Sequence, residues 1–212
     1  MEDKQRKKAL DALRAYLHHF VDIPDDEWRF LSLQVATREF AVEEFMLRVG
    51  ERADQQFFVV EGLARVFYIN QDDKELNRAF VVENNFTGSL SAFLAEEPSR
   101  FYIQAMEPTL ALILPHGLYS VLYQRHPVWE HIGRRLAESL ALQLESREGT
   151  FLLDPLEARY QRFLLDLGPH AGRIPLRHVA SYLGIAESTL RKLRSKVLPV
   201  VAHRKRALNI TH

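Results

Sequence analysis

Apolar residues recur along this chain at two different spacings. Leu10, Leu13, Leu17 and Phe20 follow one another at three- and four-residue steps, so residues 4–20 read as an amphipathic helix. "IPDDEWRFL" opens a second, short helix, with Pro24 and acids in its first turn. From about residue 33 the period changes. "QVATREF", "EFMLRVG", "QQFFVVEG", "LARVFYIN", "ELNRAFVV", "FYIQAM" and "TLALILP" are short β-branched or aromatic runs separated by turn residues. That is the pattern of a many-stranded antiparallel sandwich or barrel. "INQDDKE" between two of the runs reads as a hairpin turn, because Asn and Asp side chains hydrogen-bond their own backbone.

Helical spacing returns at 115–124 and runs strongly from about 127 to 148. Val128, Ile132, Leu136, Leu140 and Leu144 repeat every four residues, while Arg134, Arg135, Glu138 and Glu145 take other faces. An apolar stripe on a helix of six turns must be covered. It can pack on the β domain, but its length and its place between two domains favour a second copy of the chain, making a homodimer. Asp154-Pro155 then restarts a helix, Asp serving as cap and Pro fitting the first turn. Further helices are expected at about 155–167, 175–182 and 186–197. The expected fold class is α+β, divided at 1–126, 127–150 and 151–212.

Charge changes this picture. Net charge is zero over the 212 residues, yet residues 1–156 carry 17 Lys and Arg against 25 Asp and Glu, and residues 157–212 carry 11 against 3. The last quarter is therefore suited to a polyanion and the rest is not. There are no cysteines, which excludes disulfides and thiolate chemistry. No run of 18 apolar residues occurs and the N-terminus is charged, so the expectation is a cytoplasmic protein without a membrane partner.

The basic quarter contains "RHVASYLGIAESTLRKLRSKV", residues 177–197. With Leu176 as the first position of a helix-turn-helix, Val179 and Leu183 face the core and Ala180 lies where the second helix crosses. Gly184 supplies the turn, and Ile185, Leu190 and Leu193 bury the second helix. A larger side chain at 180 would force the helices apart, and a Cβ at 184 would resist the positive φ of a tight turn. Solvent is left Glu187, Ser188, Arg191, Lys192 and Lys196, in a register able to enter a major groove. Arg191 and Lys192 can donate to guanine O6/N7 or to phosphate, Ser188 and Thr189 can touch phosphate, and Arg177 joins the DNA-binding set. The alternative is a helical hairpin with a solvated basic face.

At this point the chain resembles the CRP/FNR transcription regulators over nearly its whole length. "LRVGERADQQFFVVEGLARVFY" looks like that family's paired β-roll turns, with Gly50 and Gly62, and "FTGSLSAFLAEEPSRFYIQA" occupies the place of its phosphate-binding cassette. The resemblance implies an N-terminal antiparallel, jelly-roll-like β roll of the cyclic-nucleotide-binding type, a dimerisation helix, and a winged-helix-like helix-turn-helix domain. It implies double-stranded DNA as partner, with RNA polymerase a further candidate. Cyclic-AMP-binding members begin the cassette Gly-Glu-Leu and carry Arg-Ser about ten residues on. Here the first triplet is Gly88-Ser89-Leu90, and ungapped counting puts Ser99 where the arginine belongs and Arg100 where the serine belongs. Neighbouring strand residues face opposite ways, so Arg100 is expected to aim away from the pocket unless the loop bulges. The effector is accordingly expected not to be cyclic AMP, although Gly88 and Ser89 can offer backbone N–H groups to an anion. "LPVVAHRKRALNITH" has no glycine, so the wing is expected to be short or remodelled, with His203, Arg204, Lys205 and Arg206 gripping phosphates.

Two rival classes remain. A cupin-like metalloenzyme needs closely spaced histidines on strands, and none of the nine histidines forms a His-x-His pair there. Serine-nucleophile and phosphate-loop glycine motifs are also lacking, so neither catalysis nor a resident cofactor or metal is expected. A ligand-sensing dimer that never touches DNA leaves the basic quarter without a purpose.

Overall fold

The computed structural model describes residues 2–195. Two compact units emerge within them: residues up to Lys74 with Arg78–Gln143, and Glu75–Asn77 with the residues from Leu144 onward.

The first unit opens with helices α1 (Glu2–His18) and α2 (Asp25–Gln34). Pro24 sits at the N-cap of α2, and Asp25, Asp26 and Glu27 fill its first turn, where negative charge meets the positive helix end. Arg6 of α1 donates to the carbonyls of Ser32 and Val35, at 2.6 and 3.0 Å, satisfying acceptors that the end of α2 leaves open. The strands follow: β1 (Ala36–Phe40), β2 (Phe45–Leu47), β3 (Gln55–Glu61), β4 (Ala64–Ile69), β5 (Glu75–Val81), β6 (Asn85–Thr87), β7 (Tyr102–Ala105) and β8 (Thr109–Pro115). They form two four-stranded sheets, ordered β1-β8-β3-β6 and β2-β7-β4-β5. The seven runs expected from periodicity all contain strands. β6 went unseen because its three residues carry one apolar side chain, Phe86, between polar neighbours; pairing of Phe57–Val59 with Asn85–Thr87 makes it a strand.

Phe40, Phe57, Val59, Val66, Ile103 and Ala111 fill the space inside the roll. The other side of the first sheet presents Phe58, Val60, Leu110, Leu112 and Leu114 to the helices. Both faces of β3 are therefore covered, which is why "FFVV" is continuous rather than alternating. Helix α3 (Leu90–Ala95) interrupts the roll, and α4 (Gly117–Arg125) and α5 (Pro127–Leu153) follow it.

The start of α5 is locked by a buried carboxylate. Glu27 Oε2 accepts from the Trp129 indole N–H at 2.8 Å, and Arg125 donates to both Glu27 oxygens at 3.0 and 3.3 Å. The Trp129 hydrogen bond and then Arg125 hold the Glu27 carboxyl below its usual 4.5, against the opposing effect of burial. Glu27→Ala is expected to lower stability by about 2–3 kcal/mol, because hydrogen bonds to a charged group are lost and a buried indole N–H is orphaned. The depressed value also gives the sign of the pH dependence. Stability from this carboxylate is complete above pH 4.5 and declines as pH falls through the lower folded value; the alanine variant lacks that component of the decline in acid melts.

The expected dimerisation stripe divides in two. Val128 and Ile132 are only 7% and 4% exposed, buried with Trp129 among Leu114, Leu118 and Leu122, and Leu136 packs partly on the same core. Those three are covered by their own chain, a correction to the stripe as read from spacing, which cannot tell one cover from another. Leu140 and Leu144 remain open, at 37% and 43%.

In the second unit, α6 (Leu156–Leu167) is followed by a 3-10 turn at Gly168–Arg173, then α7 (Leu176–Leu183) and α8, which begins at 187 and continues through 195. Asp154 does not cap α6: Pro155 takes the N-cap position and no side-chain cap bond forms. Tyr160, Phe163, Ile174, Val179, Ala180, Leu183, Leu190 and Leu193 are buried in this small domain.

Candidate functional site

The cassette begins where β6 ends. Gly88 lies close to β3, and a Cβ there would come 3.0 Å from Gln56 Cγ. Ser89 is 1% exposed, and its hydroxyl has no hydrogen-bond partner among the described residues. Leu90 is half-buried and opens α3. At the far end, Ser99 is 2% exposed and Arg100 is exposed.

Ser99 is held from both sides. Its N–H donates to Glu51 O and its carbonyl accepts from Gly50 N–H, each at 2.9 Å, and its hydroxyl donates to Phe101 O at 2.9 Å. Arg52 and Pro98 form a further bridge between the same segments. The turn at Gly50, with φ +86°, thus clamps the end of the cassette. This clamp is invisible in the sequence because backbone groups make it, and the residue types at 50–52 and 98–99 carry no mark of it.

Helices α7 and α8 are separated by Gly184, Ile185 and Ala186. Gly184 has φ +72° and closes α7, and its N–H and that of Ile185 return to carbonyls of Ser181 and Ala180. The left-handed turn expected at this glycine is present, and the apolar positions expected to face inward do so, with Ile185 half-buried. Burial raises the Tyr182 hydroxyl, keeping it neutral in this packing.

The opposite face of α8 is polar. Ser188, Thr189, Arg191 and Lys192 are exposed, while Glu187 is half-buried and accepts from Arg191 one turn on. Arg177 is exposed at the start of α7, its Nε donating to His178 Nε2 at 3.2 Å. Lys196 and the expected wing with His203, Arg204, Lys205 and Arg206 lie outside the described residues. Among the described residues no group of three or more His, Cys, Asp or Glu side chains is arranged to hold a metal; His18 contacts Asp22 instead. No described helix is long and apolar enough to cross a membrane.

Comparison with known proteins agrees with this geometry. The cyclic nucleotide-binding domain family matches residues 37–126. No curated protein matches the chain. Among solved structures, the c-di-GMP-responsive global regulator CLP of Xanthomonas campestris aligns with a TM-score of 0.62 at 17% identity, over 81% of this chain and 89% of that one. FixK2 from Bradyrhizobium japonicum aligns at 0.65 and 17%, over 78% and 85%. TTHB099, a CRP-family transcriptional regulator from Thermus thermophilus, aligns at 0.61 and 19%, over 76% and 84%. The strand order, the clamped cassette and the helix pair closed by Gly184 meet in one conclusion: the chain has the fold of the CRP/FNR-type regulators, and its residues 37–126 are similar to the cyclic nucleotide-binding domain family.

Proposed function

We propose that this chain is a homodimeric, sequence-specific DNA-binding transcription regulator working in the cytoplasm, without catalysis of its own. The observation that carries the reading is α8: a helix anchored by Leu190 and Leu193 that turns Ser188, Thr189, Arg191 and Lys192 to solvent in the most basic quarter of the chain. Lys196 extends that face and Arg177 adds a cation at the start of α7. No described surface distinguishes itself as a site for RNA polymerase. Dimerisation is assigned to the part of α5 that its own chain leaves bare, around Leu140 and Leu144.

The test is selection of bound duplexes from a random library. A dimer with two reading helices should enrich an inverted repeat with half-site centres about 34 Å apart. Leu140→Glu combined with Leu144→Glu should sediment as a monomer and lose that repeat, since both positions are exposed and the fold tolerates the change. A library with no enriched sequence overturns the DNA reading, and a wild-type monomer at micromolar concentration overturns the dimer.

Cyclic AMP is excluded as effector in the same reading. A cyclic phosphate entering a part-enclosed pocket needs a cation or several aligned donors. Bringing Arg100 inward requires a bulge that breaks both backbone bonds of Ser99, at about 1 kcal/mol each. Ser89 is too short and uncharged to replace the ribose-binding glutamate of cyclic-AMP-binding members. Calorimetric titration should show no uptake of cyclic AMP or cyclic GMP at micromolar concentration; uptake abolished by Arg100→Ala would overturn this point.

A further inference from the structure

We infer that the first unit contains a second ligand site, unrelated to the cassette, for one small uncharged apolar molecule of two or three heavy atoms. The site is a hollow of about 30 Å³ between the N-terminal helices, α4 and the first turns of α5. Its walls include Leu17, Leu31, Leu122, Trp129, Ile132 and Leu136.

Volume and polarity decide what fits. One water centre needs about 10–15 Å³ and two to four polar partners. The space is ample for water, but its walls offer few polar partners. The Trp129 indole N–H is committed to Glu27, and the Tyr119 hydroxyl donates to Gln56 Oε1 at 2.6 Å. Tyr123, the remaining polar wall residue, turns its hydroxyl onto Gly133, so closely that a Cβ on Gly133 would collide with that oxygen. Walls this apolar hold water weakly, and an apolar guest restores dispersion contacts that they otherwise lack.

Tyr123 is also the way in. It is 38% exposed, whereas Leu17, Leu31, Leu122, Trp129 and Ile132 are each below 5%. The absence of a side chain at Gly133 lets the phenol lie across α5, so Tyr123 forms the solvent-side edge of the hollow. The guest then touches Trp129, Ile132 and Leu136, the turns of α5 that directly precede the exposed Leu140.

Xenon is the probe, being apolar, polarisable and of the right size. Pressurised crystals of the intact chain should show one xenon against Trp129 and Ile132. In solution, xenon should quench Trp129 fluorescence in a Trp28→Phe background, the chain having two tryptophans. Leu136→Phe fills the hollow and should reduce that quenching at least tenfold. Leu122→Ala enlarges it and should strengthen uptake, so a poorly folded filling variant does not leave the test without an answer. Ordered water in the hollow, or quenching equal in wild type and both variants, overturns the proposal. None of these readouts depends on DNA binding or dimerisation.

Discussion

Replacing Arg191 and Lys192 together by alanine is expected to weaken binding to the selected operator by about 100-fold while leaving the melting temperature unchanged. Both side chains are exposed on α8 and support no packing. A bidentate contact to guanine is worth about 1–3 kcal/mol and each phosphate contact adds a salt-dependent increment. At about 1.4 kcal/mol per tenfold, the pair accounts for roughly two decades. The single variants separate the roles. A residue that reads a base relaxes specificity at one position, whereas one that holds phosphate weakens all sequences alike and flattens the salt slope by about one. Glu187 bears on the outcome because it engages Arg191 in the absence of DNA. Glu187→Ala releases that guanidinium and is expected to strengthen non-specific binding. Electrophoretic shift and fluorescence anisotropy across a salt series read all four variants. Unchanged binding in the Arg191→Ala/Lys192→Ala protein would remove α8 as the reader.

The second large effect concerns the roll. Gly62→Ala is expected to cost about 3 kcal/mol or more, because two penalties coincide there. The residue has φ +102°, where a Cβ is strained by about 1–2 kcal/mol. That Cβ would also lie 2.5 Å from Thr109 Oγ1 and 2.7 Å from both Pro108 O and Thr109 Cα, an overlap with backbone that the turn cannot relieve by a rotamer change. Gly50 provides the comparison. Its φ is +86°, yet no atom lies within 4 Å of where a Cβ would stand, so Gly50→Ala should lose only the torsional share, about 1 kcal/mol. For a chain of this length each kcal/mol moves the melting point by about 2–4 °C, so the two variants separate clearly in calorimetry. Equal melting points would show that Thr109 gives way to a side chain at position 62.

Much of this architecture was legible in the order of residues, for definable reasons. Alternating or continuous apolar runs marked strands, and three- and four-residue steps marked α1 and α5, because burial of one face requires those periods. Gly184 was identifiable as a left-handed turn since only glycine takes that conformation freely, and Val179, Ala180, Leu183, Leu190 and Leu193 were identifiable as the packed face around it. β6 was not, having too little apolar surface to register before β3 pairs with it.

What only the tertiary structure decided is who covers whom. Val128, Ile132 and Leu140 are equivalent in an i, i+4 stripe, yet the first two close the core beside Leu114 and Leu122 while Leu140 stays open, because the roll and α4 end partway along α5. Glu27, Arg125 and Trp129 are about a hundred residues apart at the extremes, and no local pattern joins them until α2, α4 and α5 converge. The same holds for the Gly50–Glu51 clamp on Ser99. The sequence by itself determined the periods, the turns and the distribution of charge, which follow from each residue's own sterics and solvation. The pairing of surfaces and the burial of individual polar atoms depend on contacts between distant segments, and those exist only in the folded chain.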